Sequence, residues 1–507
     1  MEIFTGLSVV LSSPTLLMWI FAAAVIGMVF GAVPGLTASA AIAMMLPLIL
    51  YMDPLSALAF FYVIGKSGRY GGSIAAILFN TPGTAASAAT QLDGFPRSQM
   101  GQSSKAMKVA TVSSAIGDFI GELLLIIAVG SLASIALKLG PPELFAVYLA
   151  AFIIIASVIS ESVVKGLLSA VIGVLLGTVG LDPITAEGRF TFGWYQLDGG
   201  ISLIPLMIGI FVLGEVFEQL EHLYEDVKLT SRKKASRSDS NLTWKEYRPC
   251  LPHVFRSSLI GSGIGLIPGL GSAIAAFVAY SEGKRRALNP QDWGKGALEG
   301  IAAPEAANNA VSGPSMAPLL TLGIPGSTIG AVLLGVFMML GVQVGPTLLL
   351  SSKSLVYSLF AAGLIGIVIY GLVGYYAASW LGRMILNVPT RILYPLIFLI
   401  TFISAFSSRG SLFDVWVMIF AGLIGWLMRK LKFNLAALVI SFVLAGGAEE
   451  AFRQSLRLSE NGVLIFVERP ISLIFLLLAA VVVMWRVHQT RRIRNTGKPK
   501  LHLSLEE

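Results

Sequence analysis

The sequence predicts an all-α polytopic membrane protein, with roughly ten to twelve transmembrane helices, some re-entrant or broken, in two inverted repeats. Three observations carry this reading: sparse charge, long apolar runs, and a pair of Pro-Gly motifs that recurs in each half. Of 507 residues, 13% are charged and 55% hydrophobic, with a mean hydropathy of +0.80. A soluble protein has about a quarter of its residues charged, so most of this chain must face lipid. The net charge of +8 gathers between apolar spans and at the C-terminus. Membrane orientation explains that pattern more simply than nucleic-acid binding.

Spanning-length apolar windows occur at 16–33, 106–137, 144–160, 163–179, 201–217, 354–381, 412–428 and 471–485. Shorter stretches at 38–50, 71–79, 259–280 and 316–339 are interrupted by Gly and Pro. No Lys or Arg precedes the first apolar stretch, so it is expected to be retained rather than cleaved as a secretory signal. The expected organisation is a first membrane half at 1–217, a cytoplasmic polar linker at 218–256, a second membrane half with C-terminal helices at 257–485, and a basic cytoplasmic tail at 486–507. Cys250 is the single cysteine, which rules out an intrachain disulfide. His222, His253, His488 and His502 form no HExxH or Cys/His cluster, so neither a metal site nor a catalytic centre is expected.

Both halves contain G-x-x-x-G-x-x-P-G-L, from Gly27 to Leu36 and from Gly261 to Leu270. About fifty residues after each comes a second break, Asn80-Thr81-Pro82-Gly83-Thr84 and Gly323-Ile324-Pro325-Gly326-Ser327-Thr328. Repetition of two motifs in one order indicates internal duplication. Basic residues flank the second-half hairpin at Arg232-Lys233-Lys234 and Lys284-Arg285-Arg286, whereas Glu2 and Asp53 flank the first, so the repeats are expected to be inverted. Gly27, Gly31, Gly261 and Gly265 are read as sites of close helix packing.

A membrane helix satisfies its own backbone, so a Pro-Gly interruption is tolerated only beside protein or a water-filled cavity. In secondary transporters, half-helix N-termini at such breaks face anionic substrates, and loosened carbonyls hold coupling cations. The expected substrate-binding residues are therefore Lys66, Arg69, Ser73, Asn80, Thr81, Pro82, Gly83, Thr84, Asn308, Asn309, Gly323, Pro325, Gly326, Ser327 and Thr328, with Thr321 nearby. The expected ion-coupling residues are Pro34, Gly35, Pro268, Gly269 and Glu305. Lys66 and Arg69 either attract an anion or sit in a wet loop or at the interface and set topology. Glu305 either binds a cation or proton, pairs with Lys66 or Arg69, or is a solvated hinge residue. Asp93 reads as a turn former.

These residues resemble the large membrane subunit of tripartite tricarboxylate transporters, the TctA family. The resemblance rests on Gly31-Ala32-Val33-Pro34-Gly35-Leu36, Tyr70-Gly71-Gly72-Ser73-Ile74 running into Asn80-Thr81-Pro82-Gly83, and Asp93-Gly94-Phe95-Pro96. In the second half it rests on 265–272, 275–280, Ala303-Pro304-Glu305-Ala306-Ala307-Asn308-Asn309-Ala310 and Thr321-Leu322-Gly323-Ile324-Pro325-Gly326-Ser327. It implies a multi-pass protein of the bacterial inner membrane, working with a small membrane subunit of about four helices and a periplasmic solute-binding protein. It further implies uptake of citrate or another small carboxylate, driven by Na+ or H+ and without another cofactor. Lys66 and Arg69 depart from the small or apolar residues that often precede Tyr-Gly-Gly in the family, which leaves the identity of the anion open. A passive anion channel and an intramembrane enzyme are the alternatives; no G-x-S-x-G elbow or ATP-binding motif supports catalysis.

Overall fold

The computed structural model describes residues 2–33, 36–158, 162–221, 241–386 and 390–496. Pro34 and Gly35, two of the expected ion-coupling residues, lie outside the described residues, as do His222 and the rest of the central linker's 222–240.

Helix α1 (Glu2–Leu11) leads to α2 (Pro14–Ala32), where the Ser13 hydroxyl accepts the Leu16 amide and proline occupies the first helical position. Helix α3 (Ala38–Met45) starts at Thr37, and α4 (Pro54–Phe79) starts at Asp53, whose carboxylate accepts the Ser56 amide. Helices α5 (Ser87–Arg97) and α6 (Ser103–Ala136) are separated by a wide turn in which Gly101 adopts φ 85°. After α7 (Pro141–Val158) and α8 (Val163–Gly177), β1 (Gly180–Leu181) pairs antiparallel with β2 (Gly188–Arg189). Helices α9 (Leu203–Met207) and α10 (Gly214–Glu221), joined by a wider helical segment, read as one apolar span.

In the second half, α11 (Trp244–Tyr247) carries a capping box made by Thr243 and Glu246. Helices α12 (Leu251–Gly265) and α13 (Gly271–Arg286) lie against each other as a hairpin, and Gly269 turns at φ 87°. Then come α14 (Leu298–Ala310), α15 (Met316–Leu322), α16 (Thr328–Met339), α17 (Leu348–Ser351) and α18 (Lys353–Leu386). The chain finishes with α19 (Thr390–Arg409), α20 (Leu412–Lys430), α21 (Leu435–Arg457), α22 (Ile465–Glu468) and α23 (Pro470–Thr496). The linker and tail boundaries expected from composition fall inside α10, α12 and α23.

Among the described residues, six helices are long and apolar enough to cross a membrane, or seven if the pair 462–468 and 470–486, bent by 85°, forms one span. Six shorter apolar helices of 10–17 residues accompany them. Against the expected ten to twelve crossings, the full-length spans are thus fewer, and the remaining apolar pieces are short. Outward faces stay apolar, with Ile127, Val368, Trp416 and Met484 exposed to where lipid would lie.

Helix α4 is the centre of the fold. Every residue from Ser56 to Leu78 is buried, with α2, α5, α6 and α18 packed around it. Glycines make this approach possible: a Cβ on Gly31 would fall on the Gly68 carbonyl oxygen, and one on Gly71 would meet that of Met28. In the second half, Gly261 and Gly265 pack in the same manner on Ala307 and Val311 of α14. In the first half α4 alone precedes the break at 80–83, whereas in the second half both α14 and α15 precede the break at 323–327. Inversion of one half relative to the other remains an inference from charge placement.

Candidate functional site

Four helices begin at one cavity. Thr37 caps α3 by accepting the Ala40 amide (3.2 Å), and Ser327 caps α16 by accepting the Gly330 amide (3.1 Å). Helix α13 begins at Leu270-Gly271, and α5 begins beside Ala86. Residues 37–39, 84–86, 270–273 and 326–329 line a cavity of about 270 Å³ together with Arg69, Asn308 and Ala436. Two of these helix starts come from each half of the chain.

The breaks are joined through their backbones. The Gly269 amide donates to the Gly326 carbonyl at 3.1 Å, tying the α12–α13 turn to the break before α16. In the first half, the Gly83 amide donates to the Gly72 carbonyl at 3.2 Å. Asn80 ends α4 at φ 58°, in the left-handed region, and the Gln91 side-chain amide donates to both its carbonyl oxygen and its Oδ1 (2.8 and 2.7 Å). Gly323 ends α15 at φ 72°.

Arg69 brings a full positive charge to this cavity from mid-α4. It is 6% exposed, and its Nε has no hydrogen-bond partner among the described residues. Asn308, at 1% exposure, donates to the Arg69 carbonyl (3.5 Å) and leaves its Oδ1 without a partner among the described residues. Helix N-termini each present roughly half a positive charge, so four of them with an arginine favour negative charge in the cavity. Guanidinium is suited to binding a carboxylate through two parallel hydrogen bonds.

Of the expected substrate residues, Arg69, Thr84, Asn308, Gly326, Ser327 and Thr328 line the cavity. Asn80, Thr81, Pro82 and Gly83 form the turn that leads into it, with Thr81 exposed. Gly323 and Pro325 shape the second bend, and Pro268 and Gly269 form the hairpin tip against it. Ser73 and Asn309 lie behind the cavity, beside Glu305. Glu305 is fully buried: the hydroxyls of Ser73 and Thr90 donate to one carboxyl oxygen, and that of Ser114 donates to the other at 2.6 Å. No ion pair joins Glu305 to Lys66 or Arg69 among the described residues.

Lys66 does not line the cavity. Its Nζ is fully buried between Asp118 Oδ1 (2.7 Å) and Glu122 Oε2 (2.8 Å) of α6, 4.6 Å from the centre of the Tyr62 ring. The wet-loop alternative for Lys66 and Arg69 fails for the same reason: both sit within a continuous buried helix.

Asp93 is more than a turn former. It lies in α5 with no exposure, and its Oδ1 accepts the amides of Gly294, Gly296 and Ala297 (2.9, 2.8 and 2.8 Å) while its Oδ2 accepts the Tyr280 hydroxyl (2.9 Å). One carboxylate from the first half thus clasps the α13–α14 loop of the second.

Several site residues escaped the sequence reading. Asp118 and Glu122 sit inside the apolar window 106–137, and their spacing of four in such a window was the available sign. Thr37, Ser39 and Ser272 follow the Pro-Gly pairs at the positions where helix caps are expected.

An uncharacterised 52.8 kDa protein of Agrobacterium vitis, from the TAR-I ttuC' 3' region, is 35% identical over 476 residues, covering 93% of each chain. A second A. vitis protein, from the TAR-II ttuC' 3' region, is 34% identical over 212 residues, covering 42% of this chain and 87% of that protein. The Tripartite tricarboxylate transporter TctA family profile matches residues 17–440. The chain is a multi-pass membrane protein that belongs to the Tripartite tricarboxylate transporter TctA family.

Proposed function

We propose that this chain is the large translocating subunit of a binding-protein-dependent secondary transporter of the bacterial inner membrane. It imports tricarboxylates or related carboxylates, driven by a Na+ or H+ gradient, and it converts no substrate. The observation that carries this reading is the convergence on one cavity of four helix N-termini and Arg69, which makes no ion pair among the described residues. Together the four termini supply a partial charge of about +2, to which Arg69 adds its own. That field suits a multiply charged carboxylate, and the hydroxyls of Thr37, Thr84, Ser327 and Thr328 are placed to orient it.

A periplasmic solute-binding protein delivers the carboxylate, and a small membrane subunit of about four helices completes the assembly, as the family's tripartite name supports. Each half contributes two of the helix starts, so rocking one half against the other opens the cavity to alternate faces. Glu305, with Pro268 and Gly269 at the α12–α13 hairpin tip and with Pro34 and Gly35 of the matching first-half motif, serves the coupling ion. Its carboxylate is held by three hydroxyls and by no cation among the described residues.

The test is uptake of labelled citrate and of smaller and aromatic carboxylates by vesicles containing the chain and its small partner. It is run with and without the binding protein, under sodium or proton gradients. Saturable uptake that needs the binding protein and one gradient is expected. Unsaturable, gradient-independent flux would favour a passive anion channel instead, and chemical conversion of the carboxylate would favour an enzyme.

A further inference from the structure

The Lys66 cluster carries an unbalanced charge. Lys66 contributes one positive charge, and Asp118 and Glu122 one negative charge each, all at zero exposure. Tyr62 donates to Glu122 Oε2 (2.6 Å), and Tyr370 of α18 donates to Asp118 Oδ2 (3.1 Å). Glu122 Oε1 is buried and has no hydrogen-bond partner among the described residues; it lies beside Gly363, 2.9 Å from where a Cβ there would stand. A net buried charge costs several kcal/mol, so such a group finds a counter-charge or takes up a proton.

The nearest further cation is Arg69, one helical turn along α4 from Lys66 and within electrostatic reach of Asp118. With the cavity empty, Lys66 and Arg69 balance Asp118 and Glu122. A carboxylate that pairs with Arg69 removes that balance and leaves one excess negative charge in the core. A proton on Glu122 restores neutrality. The other titratable groups near the cluster are Tyr62 and Tyr70 on α4, Tyr370 on α18 and Glu305 on α14, the last held by its three hydroxyls across Ser114.

We propose that Glu122, held by Lys66 and Tyr62 beside Asp118, is a proton-binding site governed by the charge of Arg69, so that a carboxylate in the cavity and a proton in the cluster favour one another. The proton comes from bulk water, bonds to Glu122 Oε1 to give a carboxylic acid, and returns to water when the carboxylate leaves. Linkage makes the effect reciprocal: acidification tightens carboxylate binding by the same factor by which the carboxylate tightens proton binding, typically about 5- to 150-fold. The inference rests on the carboxylate reading of the cavity and adds to it the seat of a coupled proton.

The experiment is calorimetric binding of citrate, succinate and benzoate to the full chain with its co-purifying subunits, in buffers of different ionisation enthalpy. Wild-type protein is expected to take up protons on binding. Glu122→Gln is expected to bind without that uptake; comparison of wild type with the variant cancels ionisation of the ligand itself. An infrared difference spectrum of wild-type protein, bound minus empty, should gain a protonated-carboxyl band, which keeps the test decisive if Glu122→Gln fails to fold. Binding without proton uptake or without that band overturns the inference and leaves the carboxylate reading standing. Uptake that survives Glu122→Gln places the proton elsewhere and also overturns it. Failure of all three probes to bind refutes the carboxylate reading itself.

Discussion

Replacing Asp93 by alanine should loosen the contact between α5 and the α13–α14 loop. The carboxylate accepts three backbone amides and one phenol, and hydrogen bonds to a charged acceptor contribute about 1.5–3 kcal/mol each. These do not add in full, because the Gly294 amide is near the surface and can turn to water. The Gly296 amide and the Tyr280 hydroxyl are buried and would be left unsatisfied. Asp93 also fills the space above Gly300, where a Cβ would collide with its carboxylate. A loss of roughly 3–5 kcal/mol follows for Asp93→Ala, and about 1–2 kcal/mol for Asp93→Asn, which keeps the volume and an acceptor oxygen. Tyr280→Phe removes one of the four bonds and should show coupling of about 0.5–3 kcal/mol with Asp93→Ala in a double-mutant cycle. The assay is thermal survival of the monodisperse peak in detergent, ranked as wild type, Asn, Ala. An Asp93→Ala protein as heat-resistant as wild type would refute the clasp.

Three further outcomes are expected. Arg69→Gln should still fold, a proton in the Asp118–Glu122 cluster making up for the lost charge, yet raise the half-saturating carboxylate concentration roughly 10- to 150-fold in vesicle uptake, the loss of a charge-assisted hydrogen bond. Gly326→Ala should be tolerated, because its Cβ would lie 3.6 Å from the nearest atom, whereas Gly326→Leu fills the cavity and should abolish uptake with membrane insertion intact. On the linker side, the Lys105 ammonium and the Thr243 amide and hydroxyl hold the Glu246 carboxyl down to about 2. Its contribution is therefore present above the ordinary glutamate value of about 4 and is lost as pH falls through about 2. Limited proteolysis of α11 should accelerate in strong acid, and Lys105→Ala should remove most of that pH dependence.

The membrane class and the sites of helix interruption were legible in the sequence, because both depend on local chemistry. Lipid demands apolar spans, and Pro-Gly pairs break helices wherever they stand. The packing role of Gly27, Gly31, Gly261 and Gly265 was legible for the same reason, since small residues at that spacing permit close approach. Nothing local could say that Arg69 enters a cavity while Lys66, one turn earlier, turns to Asp118 and Glu122 on α6. Nor could the reach of Asp93 across some two hundred residues to the Gly296 amide be read from its neighbours. Those partners lie on other helices, and their meeting depends on how helices pack around α4, which a linear pattern of hydrophobicity does not encode. The breaks could thus be named from the chain alone. That four helix starts share one cavity follows only from the packed halves, because the direction of a helix end is a property of the assembled fold.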